Sequence, residues 1–101
     1  MQLPAIDHDQ LPPGVTLTRA APRNPRARFP PPEWDVWLDG HRIGHIEQWK
    51  IRSCITTFYQ ATGIHPITEK PVRLESDPDF MGRVELIAMA WRFPDRYPRR
   101  F

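Results

Sequence analysis

EWDVWLDGHRIGHIEQW, residues 33–49, decides how this chain folds, because two different periods can be laid over it. Read as a helix, it puts His41 and His45 one turn apart on one face, about 6 Å from each other, which is the spacing of two zinc ligands. Read as strands, it places Asp39-Gly40 between two runs rich in Val, Ile and Trp, a strong hairpin signal. The β-branched residue and the glycine of Arg42-Ile43-Gly44 follow directly on that turn and favour the strand. At about 3.3 Å per residue the two histidines then stand roughly 13 Å apart, beyond the reach of one ion held at about 2.1 Å by each. The stretch therefore predicts a β-hairpin over 33–48 and no His41/His45 metal site.

Register assigns the faces. With Asp39 and Gly40 as the two central turn residues, Leu38 opposes His41, Val36 opposes Ile43 and Trp34 opposes His45, giving a largely apolar face for the core. Asp35, Trp37, Arg42 and Ile46 fall on the other face. A longer turn with a bulge at Gly40 is the alternative that Asp-Gly also permits. His45 and Glu47, two apart on one strand at roughly 7 Å, are the candidates for a base and its orienting carboxylate. The commoner role for such a histidine is packing beside Trp34.

Downstream, IRSCITTFYQATG is dense in β-branched and aromatic residues and predicts a third strand over 52–61, with a helix as the weaker alternative. A short edge strand is expected near 72–75, between proline-rich turns. The last element is a helix over 78–93. Asp77 is its expected N-cap and Pro78 its first residue, and Phe80, Val84, Ile87 and Trp91 form an apolar stripe that Pro94 terminates. Gly82 inside it suggests close helix–sheet contact. The resulting expectation is a small α+β domain of two layers, a three-stranded antiparallel sheet on one C-terminal helix over 33–93.

The termini differ in composition. Residues 1–32 hold eight of the thirteen prolines and show neither a helical nor an alternating period, so a flexible, extended arm is expected there, with a second tail over 94–101. Residues 33–91 carry six basic and nine acidic side chains, whereas the termini carry eight basic and three acidic. Arginine outnumbers lysine twelve to two, a bias that a GC-rich bacterial genome produces without functional pressure. Arg19, Arg23, Arg26 and Arg28, with Arg92, Arg96, Arg99 and Arg100, are the residues that would track phosphates if the arms bind nucleic acid.

No catalytic signature accompanies this pattern. There is no glycine-rich phosphate loop, no nucleophile–base pair at a recognisable spacing and no cofactor-binding motif. One cysteine, Cys54, forms neither an intrachain disulfide nor a thiolate zinc site. Asp7-His8-Asp9 lies in the arm and His65 in a loop, and neither makes a ligand set. Without a long apolar run or the pattern of a signal peptide, a cytoplasmic protein with no membrane contact is expected. One helix covers one face of a sheet, so the remaining face, with Trp37, Ile46 and Phe58 or Tyr59, is expected to be an exposed aromatic surface. The leading functional expectation is a non-catalytic binding module that forms a homodimer through that face. Nucleic-acid binding through the arginine arms comes second, and an enzyme using His45 and Glu47 third.

Overall fold

The computed structural model describes residues 3–22, 24–50 and 56–96. The hairpin stands: β2 (Glu33–Leu38) and β3 (His41–Lys50) pair antiparallel around Asp39 and Gly40. Both turn residues have left-handed backbones, φ 50° and 83°, which a two-residue turn matched to strand twist requires and which Asp-Gly tolerates. Beyond the turn the expected register fails. Leu38 opposes His41 and Trp37 opposes Arg42, but Val36 opposes Gly44, so Ile43 is the extra residue of a β-bulge. From there every partner shifts by one, giving Asp35↔His45, Trp34↔Ile46 and Glu33↔Glu47. A one-residue shift in a strand of period two exchanges the faces. Ile46 joins the core, fully buried, and His45 turns to the opposite side.

The sheet has five strands, in the sequential order β1-β2-β3-β4-β5, and not three. The first of the two additional strands, β1 (Val15–Arg19), lies within the segment expected to be a flexible arm and pairs with the whole length of β2 up to Trp34. Its VTLTR does alternate, with Val15 buried and Leu17 packed on the core while Thr16 and Thr18 face outward; five residues among so many prolines carry too short a period to stand out. Gly14 closes the edge, its carbonyl accepting from the Asp39 amide at 3.0 Å. β4 (Thr57–Ile64) ends later than the expected strand over 52–61, whose first residues and Cys54 lie outside the described residues. β5 (Pro71–Asp77) contains the expected edge strand of 72–75 and extends it to a full outer strand. The β4–β5 loop is fastened by His65, whose Nδ1 accepts from the amides of Ile67 and Thr68 at 3.1 and 3.2 Å.

The helix α1 (Phe80–Arg92) starts two residues later than expected. Asp79, not Asp77, is its N-cap residue, and the Asp77 carboxylate accepts from the Asp79 amide at 2.8 Å, holding the approach to the helix. Phe80, Val84 and Ile87 are buried as the stripe predicts, together with Ala88, and Trp91 packs at the margin against the His41 ring, 5.1 Å between centroids. The expected role of Gly82 is not found. A Cβ there would lie 2.6 Å from the Asp79 carboxylate, while the glycine that lets helix and sheet meet is Gly44, whose Cβ would lie 2.5 Å from Ile87 Cγ2.

The core is centred on three aromatic rings. Trp34 meets Phe80 edge-on at 4.9 Å and Tyr59 at 6.4 Å, and Tyr59 meets Phe80 at 5.2 Å. These contacts tie β2 and β4 to α1, and Ile6 and Leu11 from the N-terminal segment pack against the same cluster. Among the described residues, no helix is long and apolar enough to cross a membrane. All helix contacts fall on one side of the sheet, so the alternate residues of every strand form a second face, and the residues expected to carry function divide between the two.

Candidate functional site

The second face is built from the outward residues of the same strands: Thr16 and Thr18 on β1, Glu33, Asp35 and Trp37 on β2, Arg42, His45 and Glu47 on β3, Gln60 and Thr62 on β4, and Arg73 on β5. At its centre the bulge sets up a square. Glu33 faces Glu47 and Asp35 faces His45 directly across the β2–β3 pair, with two-residue steps along each strand closing the other sides. The imidazole bridges this square, with Nε2 2.7 Å from Glu33 Oε1 and Nδ1 3.1 Å from Asp35 Oδ1. Arg42 Nε donates to the same Asp35 oxygen at 2.8 Å.

Glu33 is the unusual member, because it is only 6% exposed although it lies on the face opposite α1. A buried carboxylate needs compensation by charge and hydrogen bonds, and His45 supplies part of it. An imidazole with a carboxylate at each nitrogen donates to both only as the imidazolium, since the neutral ring has one donor and one lone pair. The two ring nitrogens of His45 meet Glu33 and Asp35, and a Glu47 carboxylate oxygen lies within 4.8 Å of the same group, so the expected base and its expected carboxylate stand together with two further carboxylates. The rim of the square opens into a shallow depression of about 330 Å³ lined by Glu33, Arg42, His45, Thr62 and Pro71.

Burial raises the Asp35 carboxyl, but the hydrogen bonds from His45 and Arg42 and the charges behind them outweigh it, leaving the group below its ordinary value of 3.8. A carboxyl lowered in the folded state contributes stability that is whole above the unfolded-state value and is lost as pH falls through the folded one. Acid unfolding of the wild type should therefore steepen below pH 3.8 relative to Asp35→Asn. Overlapping stability curves from about pH 5 to 2 would show that Asp35 gains nothing from its two partners.

The other expected site residues separate. Of the interface set, Ile46 and Tyr59 belong to the core, where burial also raises the Tyr59 hydroxyl above its ordinary value. Trp37 is on the open face but half-buried, its Nε1 donating to Thr18 Oγ1 at 2.8 Å, so β1 gives it part of its cover. Phe58 does lie on the open face and stacks on Trp49 at 5.1 Å and 24° between planes. Trp49, 37% exposed, was not singled out from the sequence and is the open aromatic of this face.

The arginines expected to track phosphates lie on local aromatic surfaces: Arg19 over Trp34 at 5.5 Å, Arg28 over Phe29 at 5.5 Å and Arg96 over Phe93 at 5.1 Å. Arg26 is exposed and Arg92 ends α1. Arg23, Arg99 and Arg100 lie outside the described residues.

Glu33 and Asp35 were missed because their link to His45 runs across strands, ten and twelve positions away in the chain. The signal available was the alternation of Glu33, Asp35 and Trp37, which becomes a partner set for His45 and Glu47 only once a bulge is placed after the turn. Compared with known proteins, the chain matches no protein family, no curated protein and no solved structure.

Proposed function

We propose that this chain is a small non-catalytic binding module whose working surface is the open face of its sheet, and that its first partner is a second copy of itself. The observation that carries this reading is the square of Glu33, Asp35, His45 and Glu47, with a nearly buried carboxylate in the sheet face opposite α1. Solvated sheet faces ordinarily carry long polar side chains reaching into water. Here short ionisable groups converge on one another instead, and the stacked pair Trp49 and Phe58 flanks them.

The case for a second copy rests on the mixture of signs. The face presents carboxylates on β2 and β3 beside the cations Arg42 and Arg73, an arrangement that a two-fold axis can make self-complementary. Aromatic side chains and arginine are the residues enriched at such surfaces. Nucleic acid fits this face poorly, because three carboxylates stand where phosphates would approach.

In sedimentation velocity at about 100 μM, wild-type protein should run as a dimer if the dissociation constant is near 10 μM or tighter. Trp49→Glu should run as a folded monomer with an unchanged far-ultraviolet spectrum. A wild-type monomer at that concentration removes self-association from the proposal.

A further inference from the structure

We propose that Glu33, His45 and Glu47 form a binding site for one divalent first-row transition-metal cation, with Asp35 holding the imidazole in place. The inference rests on the reading of the open face as the working surface and names a ligand for its centre. One ligand atom from each of the three residues lies within 4.8 Å of the other two. Two ligands at about 2.1 Å from a common ion stand at most about 4.2 Å apart, and about 3.4 Å apart in a tetrahedral site, so the set closes on a metal once side-chain rotation brings its widest pair into that range.

The chemistry of the square points the same way. Glu33 and Glu47 are directly opposed across β2 and β3, which places two carboxylate donors side by side where one divalent cation can bridge them. The His45 Nε2, 2.7 Å from Glu33 Oε1, becomes a ligand once a metal takes the place of the shared proton. The Asp35 oxygen 3.1 Å from Nδ1 then accepts the remaining N–H, which is the carboxylate–imidazole–metal relay that fixes ligating histidines elsewhere.

The donors are two carboxylates and one imidazole, a set suited to Zn²⁺, Mn²⁺ or Co²⁺ and lacking the thiolates that select Cu(I). Three protein ligands leave further coordination positions toward the depression lined by Arg42, Thr62 and Pro71, where water or a donor from a partner completes the shell. Unlike an exposed acidic cluster, this set contains an imidazole and a carboxylate that is 6% exposed, both held on the two central strands of a hairpin.

Isothermal titration of the full chain with Zn²⁺ and with Mn²⁺ tests the site. The wild type should take up one equivalent. Glu33→Gln, His45→Ala and Glu47→Gln should each lose at least tenfold in affinity, and Asp35→Asn should lose about 10–100-fold. His8→Ala, which removes the exposed alternative at Asp7-His8-Asp9, should bind as the wild type does. Because Glu33 is buried and its variant can unfold, Glu47→Gln at its half-buried position decides the matter if it keeps the metal-free circular dichroism spectrum.

No uptake by the wild type, undiminished uptake by folded Glu47→Gln, or loss confined to His8→Ala overturns the proposal. Failure here is separable from failure of the face as a self-association surface. A dimer that takes up no metal removes only the metal site, and a monomer that binds one equivalent removes only the dimer.

Discussion

Trp34→Ala is expected to lower the unfolding free energy by about 3–5 kcal/mol, the range for deleting a buried aromatic side chain. Against a total of about 5–15 kcal/mol for a domain, that leaves the fold marginal. Trp34 is 3% exposed and is the ring through which β2 reaches both Phe80 of α1 and Tyr59 of β4. Arg19 lies over its ring, 5.5 Å from the centroid, so alanine also withdraws a contact at the end of β1. No neighbour can fill the space without abandoning its own contacts, because Phe80 and Tyr59 already meet each other edge-on.

Urea unfolding followed by circular dichroism measures the loss, and Trp49→Ala is the comparison. Trp49 is 37% exposed and stacks on Phe58, so its removal should take about 0.5–1.5 kcal/mol, the worth of an exposed aromatic pair. Equal losses at the two positions would mean that the helix does not pack on the Trp34 side. The contrast bears on function as well, since only the tryptophan that stability spares is free to meet a partner.

The hairpin shows which features of the fold local residue chemistry specifies and which it does not. Asp39-Gly40 specifies the turn because few residue pairs accept two left-handed conformations in succession, and the helix stripe is legible because Phe80, Val84 and Ile87 repeat at helical spacing. Neither signal reaches the bulge. Ile43 and Ile46 are both apolar and both suit a core, and two positions three apart in a strand point to opposite faces unless one residue is extra. That extra residue is what buries both isoleucines. It is also what moves His45 onto the face of Glu33 and Asp35.

The site was hidden for the same reason. Its members are partners across strands, and a shift of one in register separates or assembles them. β1 was hidden by competition: Val15 and Leu17 gain burial only because β2 is there to receive them, and the prolines around them carry the stronger local signal.

Gly44→Ala tests the close approach that this register creates, and it should destabilise the domain by about 1–3 kcal/mol, the range for overpacking a tight core. An added Cβ would stand 2.5 Å from Ile87 Cγ2 and 2.7 Å from the Thr62 carbonyl oxygen. Neither neighbour can give way cheaply. The first is a branch methyl on a fully buried side chain, and the second is backbone inside the β3–β4 pair. The helix must therefore lift from the sheet or the strands must part.

Gly63, the residue opposite Gly44 on β4, provides the control. A Cβ there would come closest to the end of the Leu74 side chain, Cδ1 at 3.3 Å, which a small rotation relieves, and would otherwise make ordinary contacts at 3.9 Å with Leu74 Cγ and the Val72 carbonyl oxygen. Gly63→Ala should change stability by no more than about 0.5 kcal/mol. If the two alanines behave alike in thermal unfolding, α1 is not seated over Gly44, and the bulge that orients His45 toward Glu33 loses its structural reason. A large loss at Gly44 alone ties the packing of the buried face to the geometry of the open one, because the one extra residue at Ile43 sets both.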